Sequence, residues 1–173
     1  MNFYYMLMSV SIFLTAATLA SVRVNNMPLR IGNRVSDFTL QGDQGRWRLA
    51  DCKGPVVLFF YPSDDTPGCT KEACSINSWQ SEFLKQGITV AGVSYNSVAS
   101  HKKFKEKHNL RYALLSDPDA RIAKLFGADR WWPNLFPKRN TYIIDGNRVL
   151  RHVLENVEPS THGKEVLDLV KNL

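Results

Sequence analysis

Cysteine is scarce: three residues in 173, an odd number too sparse to staple a small secreted scaffold with disulfides. No run of five or six like charges appears, and no nucleic-acid-binding pattern accompanies the basic residues. The formal net charge of +6 therefore reads as a solvated, mildly basic surface, with no nucleic acid expected as a partner. Internal repeats, low-complexity tracts and long linkers are absent from residues 28–173, which argues against solenoids and disordered spacers there. The four histidines show no metal-ligand spacing. His101 and His108 fall on one predicted helix and are expected to face solvent.

Charge is also missing from residues 1–22, and Tyr4–Ala20 is mostly apolar. Thr18-Leu19-Ala20 offers small residues for signal cleavage after Ala20, although no basic residue precedes the apolar run. The run is also long enough to remain as a membrane anchor, and Arg23, Arg30 and Arg34 would then favour a cytoplasmic body. A third reading starts the chain at Met27. These alternatives leave the location open: the envelope, the periplasm or the exterior if the leader functions, the cytoplasm otherwise. Membrane contact would run through residues 1–22. The division expected is a leader over 1–26 and a single folded domain over 27–173.

What is present is an ordinary core-forming composition, 44% hydrophobic and 22% charged. Phe38–Leu40 and Arg46–Leu49 flank Gly42-Asp43-Gln44-Gly45, a hairpin signal. Pro55–Tyr61 is a continuous apolar run through Val56-Val57-Leu58-Phe59-Phe60, as in a strand covered on both faces; Ile88–Val93 and Thr141–Ile144 read alike. Helices are predicted over Thr70–Gln86, Val98–His108, Ala120–Phe126 and Ser160–Val170. Arg148–Val153 pairs back on the preceding strand across Asp145-Gly146-Asn147. This order predicts a three-layer α/β domain of thioredoxin-like arrangement: a central mixed β-sheet flanked by helices, with an N-terminal β-hairpin.

The chemistry concentrates between Phe60 and Cys74, where a buried strand passes into an amphipathic helix. Thr66 suits the N-cap and Pro67 the first helical position, which puts Cys69 in the first turn. Unpaired backbone N–H groups and the helix dipole favour an anion there, and a thiolate is a nucleophile. Cys74 is five residues on, a Cα separation of about 9 Å in an ideal α-helix. A disulfide needs less than about 7 Å, so the pair can bond only if the first turns unwind. Asp64 and Asp65, beside the helix start, are expected to assist capping or stay solvated.

Pro62, Thr66 and Cys69 match the peroxiredoxin pattern Pro-x-x-x-Thr-x-x-Cys. The run Asp64–Cys74, with Asn109–Pro118 and Arg139–Asp145, resembles the peroxiredoxin Q group, also called bacterioferritin comigratory proteins. The resemblance extends from about Leu29 to the C-terminus. It implies that Cys69 is oxidised by hydrogen peroxide or organic hydroperoxides to a sulfenic acid, and that Cys74 condenses with it. Thioredoxin or a similar dithiol protein would reduce the resulting disulfide. Thr66 would hydrogen-bond the peroxide oxygens, Pro62 would shield the site from water, and Arg139 would sit beside the thiolate. No metal, haem or flavin cofactor is implied, and a monomer is expected.

Cys52 departs from the pattern and reads as a packed bystander. Trp131-Trp132-Pro133-Asn134 is an unusually aromatic stretch that would alter reductant docking or substrate access. Two other functions compete. A thioredoxin-like thiol–disulfide exchange protein needs Cys-x-x-Cys at the helix start, and here four residues separate the cysteines. A binding module with vestigial cysteines is disfavoured by Thr66, Cys69 and Arg139 occurring together.

Overall fold

The computed structural model describes residues 27–130, 135–171 and 173; the leader and the Trp131–Asn134 stretch lie outside them. The chain runs β1 (Thr39–Gly42), β2 (Gly45–Arg48), β3 (Val56–Phe60), α1 (Pro67–Ser78), α2 (Gln80–Lys85) and β4 (Thr89–Ser94). It continues through α3 (Val98–His108), β5 (Ala113–Ser116), α4 (Arg121–Phe126), β6 (Asn140–Ile144), β7 (Leu150–Glu155) and α5 (His162–Val170). The strands form one sheet of 7 in the order β2-β1-β5-β4-β3-β6-β7. β3, β4 and β5 pair in parallel, while β6, β7 and the N-terminal hairpin add antiparallel edges.

β3 is an interior strand, between β4 and β6, and all five of its residues are buried. Successive side chains of a strand point to opposite faces. Val56, Leu58 and Phe60 accordingly pack with Ile122, Ala123 and Phe126 of α4 in one cluster. Val57, Phe59 and Tyr61 pack with Ile76 of α1, Phe104 of α3 and Val166 of α5 in the other. Each such side chain removed from water is worth about 1.5–3 kcal/mol. The two-sided apolar run is thus explained by helices on both faces. No helix among the described residues is long and apolar enough to cross a membrane.

Several elements differ from the sequence reading. The amphipathic pattern over Thr70–Gln86 is entered from Pro67, as the Thr66-Pro67 signal expects, but the helix breaks at Trp79 into α1 and α2. Two side chains redirect the backbone there. Asn77 bonds the backbone of Asn109 and Arg111, and the Ser78 hydroxyl donates to Ser75 O at 2.6 Å. β5 was not among the predicted strands, because four residues are too few to show a period. It is a strand because β4 and β1 pair with it on either side. β1 extends to Gly42, which faces Leu115 so closely that an added Cβ would lie 2.9 Å from its side chain. β7 starts at Leu150, since Arg148 takes a left-handed turn conformation, and α5 starts at His162, two residues later than expected.

Candidate active site

Strand β3 delivers the chain into a loop that ends at Thr66, the N-cap of α1. The Thr66 carbonyl accepts the Thr70 N–H at 2.9 Å, the first bond of the helix. Its hydroxyl makes no cap bond, contrary to the simplest N-cap expectation, and donates back to Ser63 O at 3.2 Å. The hydroxyl therefore ties the loop that carries half-buried Pro62 to the helix start. Pro67 occupies the first turn as expected, and Cys69 follows two residues later with 1% of its surface exposed.

Arg139, immediately before β6, reaches this cysteine from the strand next to β3. Its Nη2 donates to Cys69 Sγ at 3.3 Å. The approach is close: a Cβ on Gly68 would lie 3.4 Å from the same nitrogen. Nη1 donates to Glu72 Oε2 in a very short contact. Glu72 lies one turn after Cys69 on the same helix face and is fully buried. Burial alone would lower the Arg139 pKa, but the charges of Glu72 and Cys69 outweigh it and raise it. The guanidinium is thus a fixed cation with one edge on a carboxylate and the other on the sulfur.

The array continues behind Glu72. His162, the first residue of α5, is fully buried and places Nδ1 3.0 Å from Glu72 Oε1. The two atoms are in contact but off the line of a hydrogen bond. The other ring nitrogen, Nε2, lies 3.0 Å from the Thr141 hydroxyl of β6. Neither Glu72 nor His162 was singled out from sequence. The three-residue step from Cys69 to Glu72 was a legible signal, whereas nothing local pointed to His162.

Cys74 is exposed, further along an intact α1, and Cys52, Cys69 and Cys74 are all free. Cys52 is half-buried against the cluster on the opposite face of the sheet from Cys69, and burial pushes its thiol pKa up.

Two expectations are corrected beside the loop. His101 does not face solvent; it is fully buried. Asp64 is neither solvated nor a cap: its side chain is 4% exposed and accepts from His101 Nδ1 at 3.0 Å. It also accepts from the Tyr61 hydroxyl at 2.7 Å and Ser100 Oγ at 2.6 Å. Burial pushes the Asp64 carboxyl up, but these three donors more than offset it and hold it below its usual value. His108, only partly exposed, pairs with Asp65 at 3.1 Å. Asp65 does stay largely solvated, in a left-handed conformation, and also pairs with Lys107.

A thioredoxin-type sheet that presents a helix-start cysteine to a partly buried arginine defines the thiol peroxidases of the peroxiredoxin class. The AhpC/TSA family model matches residues 31–153. A Coxiella burnetii protein named peroxiredoxin bcp is 40% identical over 151 residues, spanning 82% of this chain and 98% of its own. Peroxiredoxin Q of Oryza sativa, a chloroplastic protein, is 39% identical and shares 82% of this chain and 67% of its own. The crystal structure of Mycobacterium tuberculosis peroxidoxin BcpB aligns with a TM-score of 0.78 at 34% identity, covering 84% of this chain and 98% of that one. The Xanthomonas campestris bacterioferritin comigratory protein aligns at 0.73 and 29% identity, covering 78% and 90%. The chain belongs to the AhpC/TSA family and, within it, to the peroxiredoxin Q group.

Proposed function

We propose that this thiol peroxidase works through Cys69 and Cys74 in a two-cysteine cycle. The Cys69 thiolate attacks one oxygen of the hydroperoxide, the O–O bond breaks, and the other oxygen leaves with a proton as water or an alcohol. Cys69 is left as a sulfenic acid. Arg139 stabilises the thiolate and the charge moving onto the departing oxygen. The Thr66 hydroxyl bonds the peroxide oxygens, and Pro62 keeps water from the sulfur. The Cys74 thiolate then attacks the sulfenic sulfur, water is released, and a Cys69–Cys74 disulfide forms. Two electrons from a dithiol protein of the thioredoxin kind restore both thiols.

The observation that carries this reading is the Arg139 guanidinium 3.3 Å from the Cys69 sulfur, braced from behind by Glu72. The alkyl peroxide reduction named for the Xanthomonas campestris relative supports organic hydroperoxides as substrates beside hydrogen peroxide. Residues 27–173 form the catalytic unit in this reading and act as a monomer, because Cys69, Cys74 and Arg139 come from one chain. Residues 1–22 would bring that unit to a membrane.

The test is hydrogen peroxide consumption by the reduced full chain, coupled to thioredoxin, thioredoxin reductase and NADPH. Cys69→Ser is expected to abolish turnover. Cys74→Ser is expected to consume about one equivalent and stop, because the sulfenic acid then has no partner. Wild-type turnover in Cys69→Ser would overturn the assignment.

A further inference from the structure

We propose that His162 is a positioning residue of the peroxidase, acting through Glu72 to aim Arg139 at the Cys69 sulfur. The inference rests on Cys69 being the nucleophile and Arg139 its cationic partner. Glu72 has two carboxylate oxygens, and each faces a different basic group: Oε2 faces Arg139 Nη1, and Oε1 faces His162 Nδ1 at 3.0 Å. A carboxylate held at one oxygen can still swing about its last torsions. With His162 Nδ1 seated against Oε1, it presents Oε2 in one orientation, and the guanidinium fork then fixes where Nη2 points.

His162 is itself held. Its Nε2 lies 3.0 Å from the Thr141 hydroxyl, and the Phe59 ring packs edge-on against the imidazole with centroids 6.4 Å apart. His162, Glu72 and Thr141 are all fully buried, so water cannot take over a missing partner. The line of contacts runs from the start of α5, through α1, to the residue before β6 and back to the sulfur. The ring nitrogens divide the work. Nδ1 steers Glu72, and Nε2 anchors the ring to β6.

The experiment measures the second-order rate constant for hydrogen peroxide with the reduced full chain, by stopped flow. Its variants are His162→Leu, His162→Asn, His162→Gln, Arg139→Ala and the double variant Arg139→Ala/His162→Leu. His162→Leu is expected to slow the reaction about tenfold or more, because Glu72 Oε1 is then left buried with no polar neighbour to hold it. His162→Asn places an amide N–H near the Nδ1 position and should keep most of the rate. His162→Gln places its amide towards Thr141 and should be slower than His162→Asn; this contrast decides the matter if the leucine variant does not fold. In the Arg139→Ala background His162→Leu should cost nothing further, because its route to the sulfur is gone. A wild-type rate in folded His162→Leu, equal rates for asparagine and glutamine, or a full additional loss in the double variant would each overturn the proposal. A wild-type rate in Arg139→Ala would remove the role of Arg139 itself, and the positioning chain with it.

Discussion

Gly163 of α5 lies so close to Ser75 of α1 that a Cβ built on it would sit 2.2 Å from the Ser75 carbonyl oxygen. Two hydrogen bonds close the same junction: Gly163 N–H to Ser75 Oγ at 3.0 Å, and Ser75 Oγ to Ser160 O at 3.1 Å. Ser75 is the residue after Cys74, so in the proposed cycle the helix that loosens for the disulfide is the one on which α5 is seated. Gly163→Ala cannot be absorbed by a flexible side chain, since the obstacle is backbone. It should destabilise the chain by about 1–3 kcal/mol or more, the usual cost of overpacking. Chemical denaturation of the reduced protein measures it.

Oxidation should melt the start of α1. With the helix intact the two cysteines are about 9 Å apart by ideal geometry, beyond disulfide reach. Peroxide-treated wild type should therefore exchange its amide hydrogens over residues 67–74 faster than the reduced protein. Cys74→Ser, treated alike, should show no such change. Equal protection in oxidised and reduced wild type would mean the bond forms without unwinding.

Arg139→Lys should slow the first step by about 100-fold or more, in the range measured when one stabilising donor is removed. A lysine has one compact ammonium and cannot span Glu72 and the sulfur as a planar fork does. The rate constant with hydrogen peroxide reads the effect, and an unchanged melting temperature would place it in chemistry.

The Asp64 carboxyl is held below its usual pKa by His101, Ser100 and Tyr61, against the opposing effect of burial. A group whose pKa is depressed on folding stabilises the native state above its unfolded value, and that stability is lost as pH falls through the folded value. Asp64→Asn should therefore lower the melting temperature at pH 6, by the equivalent of about 1–3 kcal/mol for a disturbed buried bond. The gap to wild type should narrow below pH ~4, where the unfolded aspartate begins to protonate. A gap that is constant down to the acid limit would show that Asp64 contributes as a neutral group.

Much of the site was legible because its signals are local. An unbroken apolar run at Val56–Phe60 can only be satisfied by helices on both sides. Thr66, Pro67 and the amphipathic stretch after them state where α1 begins. These residues placed Cys69 in the first turn, and the match of Pro62, Thr66 and Cys69 to one family pattern named the chemistry. The remainder depended on partners far along the chain. His101 looked like one more polar residue on a solvent-facing helix, yet Asp64, 37 residues earlier, gives its ring a buried partner. The break at Trp79 follows from Asn77 bonding a segment 32 residues away. β5 has no periodicity of its own and becomes a strand by being paired on both edges.

Sequence by itself determined the order of elements, the helix-start cysteine and the second cysteine out of disulfide reach, since propensity, capping and periodicity act over a few residues. Only the tertiary structure decided what surrounds the sulfur. Arg139 stands 70 residues from Cys69 and reaches it because β6 lies beside β3 in the sheet. His162 reaches Glu72 because α5 closes over α1. Burial and electrostatic partnership are properties of the packed whole, and no window of sequence contains them.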